Sequence, residues 1–248
     1  MMKTLSEVLS SMEYPGRFFV LGNQDENLFV LYGITARSAS SQARKIIVNK
    51  SKSILEDLVL RVKPTDSELL SLGNPNLLIY KAVMARESEG GCIAVSNGAQ
   101  TEHIFKKLGR NNALDVLANV HRQFEYEPDP PNYTPRISGI LTSDKRCVIG
   151  RITKDEEFEI PLREEFSYSL LNKTGRFIST YSGANTNPLP SFREDPILVE
   201  ADYRDSKEAV NAAYESIIHN GNNDFRVSVA GIFHLGDYLE CFVFNRFE

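Results

Sequence analysis

The stretch Tyr126-Glu127-Pro128-Asp129-Pro130-Pro131-Asn132-Tyr133-Thr134-Pro135-Arg136-Ile137-Ser138-Gly139 decides how this chain is read. Its four prolines hold φ near one value and remove amide donors, so a helix is forbidden and the backbone is a stiffened loop. Beyond them, Arg136 opens an apolar run, Ile137 to Leu141, that reads as a strand. Two carboxylates, two phenols and a guanidinium are therefore held on rigid backbone at a strand mouth. Binding sites are often built in this way, although a Pro-rich surface connection with incidental charges fits the same letters.

A second window, Ile93 to Glu102, reads as a β-type run, a turn at Asn97-Gly98 and a helix start. Thr101 is the expected cap of a helix running to about Leu108, whose N-terminal dipole favours an anion. Other short β-type runs cover Arg17 to Gly22, Leu28 to Ile34, Leu58 to Val62, Leu77 to Met84, Cys92 to Ser96, Ile137 to Thr142 and Arg146 to Thr153. Further ones follow at Gly175 to Tyr181, Ile197 to Ala201, Arg226 to Phe233 and Tyr238 to Phe244. Asn23 to Asn27 reads as a polar hairpin loop. Helical periodicity marks a short N-terminal helix through Leu5, Val8, Leu9 and Met12, a helix from Ala113 to Phe124, and a third from Ser206 to His219 capped by Ser206. His121 is expected as a satisfied helix-face histidine. The Pro-containing connection from Ser182 to Asp195 is long and reads as an exposed loop or a lid. Hairpins with clustered helices imply an α+β layered domain, one unit over residues 1–248.

Composition narrows the function. The chain has 248 residues, 42% of them apolar, enough for a sizeable core. A net charge of −5 without a basic run argues against a nucleic-acid groove, while a small anion needs only local arginines. The apolar runs are too short to span a bilayer, and no signal-peptide core opens the chain. Cys92, Cys147 and Cys241 are isolated and read as buried free thiols in a reducing cytosol. Four scattered histidines and the lack of a metal-ligand or nucleotide-loop motif lead to the expectation of no metal and no cofactor.

Both windows resemble the archaeal-type IMP cyclohydrolase family, and four more stretches do so in the same order. These are Tyr14-Pro15-Gly16-Arg17-Phe18, Ala36-Arg37-Ser38, Asn74-Pro75 with Leu78-Ile79-Tyr80, and Ile178-Ser179-Thr180-Tyr181. The resemblance implies a four-layer αββα sandwich, two antiparallel sheets flanked by helices, as in N-terminal nucleophile hydrolases. It implies closure of a formamido-imidazole-carboxamide ribonucleotide to inosine monophosphate with loss of water, in the cytoplasm and without a metal or redox cofactor. The expected ligand is a small purine ribonucleotide; neither nucleic acid nor membrane is expected, and a homo-oligomer is compatible with the reading.

The site residues are carried over on the same basis. Tyr80 is implied as a donor to the formyl oxygen, Glu127 as acid/base or amide orienter, and Asn97 as a partner of the base. Arg37, Ser38 and Arg136 are implied as phosphate or ring binders, with Arg17 and Glu102 as further substrate contacts. After Arg37-Ser38 the family pattern continues with an aromatic, a proline and a basic residue, whereas this chain has Ala39-Ser40-Ser41-Gln42, leaving Arg44 or Lys45 to supply the charge. Two rival readings stand beside this one. A true N-terminal nucleophile hydrolase needs Thr, Ser or Cys as its first residue, and the chain begins Met1-Met2-Lys3-Thr4. A catalytically silent nucleotide-binding or regulatory protein on the same fold would bind inosine monophosphate without turnover.

Overall fold

Period-two alternation on central strands determines how the layers stack. In the strand Leu58–Pro64, Leu58 and Leu60 enter one apolar cluster while Val59 enters another, and Ile93, Ala94 and Val95 divide in the same way. A strand whose two faces are both apolar must be covered on both sides. The structure, a computed structural model, describes residues 2–25, 27–49, 58–66, 79–86, 92–109, 111–220, 223–235 and 238–247.

Among these residues two seven-stranded sheets form. The first runs Lys3–Thr4, Ile197–Glu200, Thr174–Ser179, Arg17–Gln24, Asn27–Thr35, Arg226–Leu235 and Tyr238–Asn245. Its pairings are antiparallel except for Lys3–Thr4 on Ile197–Glu200. The second is a meander in chain order: Arg44–Asn49, Leu58–Pro64, Tyr80–Arg86, Cys92–Ser96, Arg136–Thr142, Arg146–Lys154 and Pro161–Ser169. Antiparallel neighbours need only short connections, so sequence order and spatial order coincide.

The sheets face each other. A Cβ placed on Gly139 would lie 2.9 Å from both Leu21 and Phe19 of the opposite sheet, so only glycine permits this approach. At one corner Asn245 clips the sheets together, accepting from the Ile46 amide at 2.9 Å and donating to the Ile46 carbonyl at 3.0 Å. Helices cover the outer faces. Leu5–Ser10 and Ser206–Ser216 pack on the first sheet, and Gln100–Lys107 and Ala113–His121 on the second. The expected sandwich of two antiparallel sheets with helices outside is the observed architecture.

Local details correct several readings. The helix Gln100–Lys107 has Ala99 as its N-cap, and Thr101 lies inside it; the Ser96 hydroxyl accepts from the Thr101 amide instead. Asp205 rather than Ser206 caps the helix Ser206–Ser216, which ends before His219. Asn112 caps Ala113–His121, three residues shorter than periodicity suggests, because Arg163 takes the carbonyls of His121 and Phe124 and turns the chain away. His121 is not the satisfied helix-face histidine expected: its ring is buried, neither nitrogen makes a hydrogen bond, and Glu165 lies 3.4 Å away without hydrogen-bond alignment. Cys147 is buried as expected, but Cys92 and Cys241 are half-buried, and none of the three is in a disulfide among the described residues. The strands continue through Gln24 and resume at Asn27, so the hairpin connection is shorter than the polar run suggests. Leu77, Leu78 and the Asn74-Pro75 pair lie outside the described residues.

Candidate active site

The site forms where the first sheet's strand Arg17–Gln24 begins, and the Pro-rich loop crosses that opening. Gly16 has φ +73, and a Cβ there would stand 2.6 Å from the Tyr181 ring and clash with the Thr180 hydroxyl. Glycine therefore lets Tyr181 lie against the chain at the start of the strand. The next residue, Arg17, points towards the second sheet, where its Nη2 donates to Glu127 Oε1 at 3.1 Å. Both side chains are buried, at 8% and 2% exposure. Burial alone would lower the Arg17 pKa; the Glu127 charge and the oxygens of Tyr80, Tyr181 and Tyr32 outweigh it and raise the pKa well above the ordinary value.

The Pro-rich loop is held in place by its own polar groups. The Glu127 amide donates to the Thr134 carbonyl at 2.9 Å. Asp129 accepts from the Thr134 amide at 2.7 Å and from the Thr134 hydroxyl at 2.5 Å. The second long connection, residues 182–195, is tied down as well. Arg151, buried and paired with Glu164 at 2.7 and 2.9 Å, donates to the carbonyls of Arg193 and Glu194. Leu189 is seated by its amide donating to Asn132 at 3.0 Å. This connection is a fixed wall with exposed residues on its outer side, rather than a free lid.

Together these elements enclose a cleft of about 340 Å³. Its lining includes Arg17, Glu127, Asp129, Thr134 and Tyr181 together with Arg37, Ser38, Ser40, Ser41 and Arg44. Arg37 donates to Asn185 Oδ1 at 3.2 Å and the Thr186 carbonyl at 2.9 Å, and lies over the Tyr14 ring at 5.3 Å. Arg44 is 4% exposed and donates from Nε to the Ser41 carbonyl at 2.7 Å. Among the described residues neither guanidinium has a carboxylate partner. Burial accordingly pulls the Arg44 pKa below its ordinary value. Ser38 faces the cleft while capping Ala39–Gln42 through the Ser41 amide at 3.3 Å.

The expected residues divide into three groups. Arg17, Arg37, Ser38 and Glu127 converge on the cleft. Tyr80 stands behind it: its hydroxyl shares a 2.8 Å hydrogen bond with that of Tyr32, across the two sheets, and both phenols act electrostatically on Arg17 and Arg44. Asn97, Arg136 and Glu102 do not line the cleft. Asn97 uses its amide to pin the Pro-rich loop, accepting from the Ile137 amide at 3.0 Å and donating to the Pro135 carbonyl at 2.8 Å. Arg136 donates to the Glu125 carbonyl at 2.6 Å and to Gln100 at 3.3 Å, with Glu127 at 4.0 Å. Glu102 pairs with Lys106 at 2.7 Å and Lys81 at 3.6 Å on the outside of the helix.

Among the cleft residues with no role assigned from sequence are Tyr181, Thr134 and Asp129. The last two lie in the Pro-rich window itself, where a hydroxyl and a carboxylate five residues apart on stiff backbone were the available signal. Tyr32 gave none, because its strand is apolar throughout.

No His, Cys, Asp and Glu side chains among the described residues cluster as a metal-ligand set, and no described helix is long and apolar enough to cross a membrane. Two unpaired guanidiniums among serines, beside a buried Arg-Glu pair, suit an anionic substrate that must lose and regain protons. A family model described as IMP cyclohydrolase-like protein matches residues 14–237, and the chain belongs to that family of enzymes, which form inosine monophosphate in purine biosynthesis.

Proposed function

We propose that this cleft binds the formamido-imidazole-carboxamide ribonucleotide with its phosphate on the Arg37, Ser38 and Arg44 wall and its ring beside Arg17 and Glu127, where the purine ring closes. The observation that carries the reading is the buried Arg44, a guanidinium facing the cleft with no carboxylate partner among the described residues. A buried charge left unpaired is costly, and a bound phosphate supplies the missing countercharge.

The chemistry requires little beyond position and proton transfer. The carboxamide nitrogen attacks the formyl carbon, the C=O electron pair moves onto oxygen, and the nitrogen loses a proton. That oxygen later leaves as water while the formamido nitrogen loses its own proton. The attack is already intramolecular in the free substrate, so what the cleft adds is orientation, holding the carboxamide nitrogen against the formyl carbon in a near-attack geometry. Arg17 has guanidinium N–H groups beyond the one bonded to Glu127, and these suit the oxyanion. Glu127 takes the carboxamide proton and returns it to the oxyanion, making a hydroxyl. Tyr80 and Tyr32 act at one remove, holding polar oxygens near Arg17.

The deciding experiment incubates purified protein with the formylated ribonucleotide and follows the absorbance of the new purine ring. Catalysed formation of inosine monophosphate is expected. Tight binding of inosine monophosphate with no ring closure would overturn the reading in favour of a silent nucleotide-binding protein.

A further inference from the structure

Thr134 occupies a junction whose hydrogen positions are determined by counting. Its hydroxyl carries one proton, which goes to Asp129 Oδ2 at 2.5 Å. The same hydroxyl oxygen lies 2.6 Å from the Tyr181 hydroxyl. With its only proton committed, Thr134 must accept there, so Tyr181 is the donor. The Tyr181 oxygen then has no hydrogen left for the cleft it lines, and presents lone pairs alone. A substrate N–H can donate to it; a substrate carbonyl cannot accept from it.

The arrangement is held firmly. The Tyr181 amide donates to the Pro15 carbonyl at 3.2 Å, its ring stacks on Tyr14 at 5.7 Å, and Asp129 is fixed a second time by the Thr134 amide. Burial raises the Tyr181 pKa despite nearby Arg17, so the phenol keeps its proton at rest.

We propose that Tyr181, Thr134 and Asp129 form a one-way-primed proton relay serving the formamido nitrogen in the dehydration half of the reaction. The inference rests on the cyclisation reading of the cleft and adds to it a second proton path. Ring closure strips one proton from each of two nitrogens and delivers both to one oxygen. Glu127 carries the first. For the second, the formamido N–H proton passes to Tyr181, the Tyr181 proton to Thr134 and the Thr134 proton to Asp129. The N–H electron pair becomes the new C=N bond as the C–O bond breaks and its pair leaves with the hydroxyl. The loaded relay now has a Tyr181 O–H facing the cleft, and it protonates the departing hydroxyl to water while the three protons shift back. All groups return to their resting state. Tyr181 touches the reacting atoms in this scheme; Thr134 and Asp129 act through it.

The test compares wild type with Thr134→Val, Thr134→Ser and Tyr181→Phe, measuring kcat, KM, affinity for inosine monophosphate, and kcat as a function of the D2O fraction. Thr134→Val should lower kcat about 10²-fold or more, the scale of a lost acid/base, with KM and product affinity unchanged. Thr134→Ser keeps the hydroxyl and should stay within a few-fold of wild type. The wild-type isotope dependence should be curved, reporting several protons in flight, and that of Tyr181→Phe should be linear. If Thr134→Val fails to fold, the Thr134→Ser and Tyr181→Phe pair decides by the same kcat and isotope criteria. Wild-type kcat in Thr134→Val or Tyr181→Phe would overturn the relay alone, as would equal slowing by Thr134→Ser and Thr134→Val. A wild type that closes no ring would overturn the cyclisation reading and the relay together.

Discussion

Arg17 and Glu127, 110 residues apart, meet at 3.1 Å in a nearly dry pocket between the sheets. Arg17 opens a strand of the first sheet and Glu127 stands on the loop that leads into the second. The pair therefore closes the end of the sandwich as well as furnishing the cleft. Removing one partner of such a pair leaves the other buried and uncompensated. Glu127→Ala should cost about 3–5 kcal/mol of stability in denaturant melts. The Arg17→Met/Glu127→Leu double variant should be more stable than the sum of the two single losses allows, because it buries no charge. Strict additivity would show that the two side chains do not act as a unit.

Arg44 reverses the usual link between function and stability. Its guanidinium is buried beside the Arg17 charge with no carboxylate partner among the described residues, so Arg44→Met should leave the melting temperature unchanged or raise it. The same change should weaken inosine monophosphate binding by about 1.5–3 kcal/mol, the range for a hydrogen bond to a charged group. Inosine, which lacks the phosphate, should bind wild type and variant alike in calorimetry. An equal loss for both ligands would remove Arg44 from the phosphate role. Arg37→Ala should show the same split, with a small stability cost from its lost contacts to residues 185 and 186.

The Tyr32–Tyr80 hydrogen bond separates a structural from a catalytic role. Tyr80→Phe and Tyr32→Phe each strand one buried hydroxyl, so each should cost about 1–3 kcal/mol of stability. If Tyr80 tunes Arg17 and the reacting oxygen, Tyr80→Phe should lower kcat well beyond the effect of Tyr32→Phe while leaving KM alone. Matching kcat values in the two variants would assign the pair to architecture.

Alkaline stability should depend on Cys147. Burial pushes its thiol up to about 12, against the opposing pull of Arg176. An unfolded thiol ionises near pH 8.5, so the unfolded chain releases a proton first. The contribution is complete below that pH and is lost as pH rises towards about 12, at a slope of about 1.4 kcal/mol per pH unit. Cys147→Ala should flatten this part of the stability curve in urea melts performed from pH 8 to 11. An unchanged slope would place the alkaline sensitivity elsewhere, with the phenols of Tyr32, Tyr181 and Tyr203 next in line because burial pushes each of them up as well.

Sequence legibility followed the range of the interactions concerned. Short apolar, β-type runs such as Leu58 to Val62 and Cys92 to Ser96 revealed strands because residue type and run length are local properties. Among the described strands longer than two residues, two went unread: Arg44–Asn49 follows a serine-rich stretch, and the edge strand Pro161–Ser169 mixes charges with aromatics. An edge strand half-open to water needs no apolar alternation, so its letters carry little signal. Caps were misplaced by one or two residues at Thr101 and Ser206, where several hydroxyls or carboxylates competed for the same amides.

The sequence by itself determined the layered sheets, the rigid proline loop and the arginines available to an anion, since each depends on neighbours in the chain. Only the tertiary structure decided which polar side chains face the cleft. Asn97 and Arg136 looked as functional as Arg37, yet their hydrogen-bonding groups are taken by backbone carbonyls and amides of the loop they anchor. Thr134 and Tyr181 had no role assigned, yet packing across 47 residues brings them within 2.6 Å at the cleft. A polar group can serve a ligand only when the fold leaves one of its bonds unmade, and that balance is settled by contacts distant in sequence.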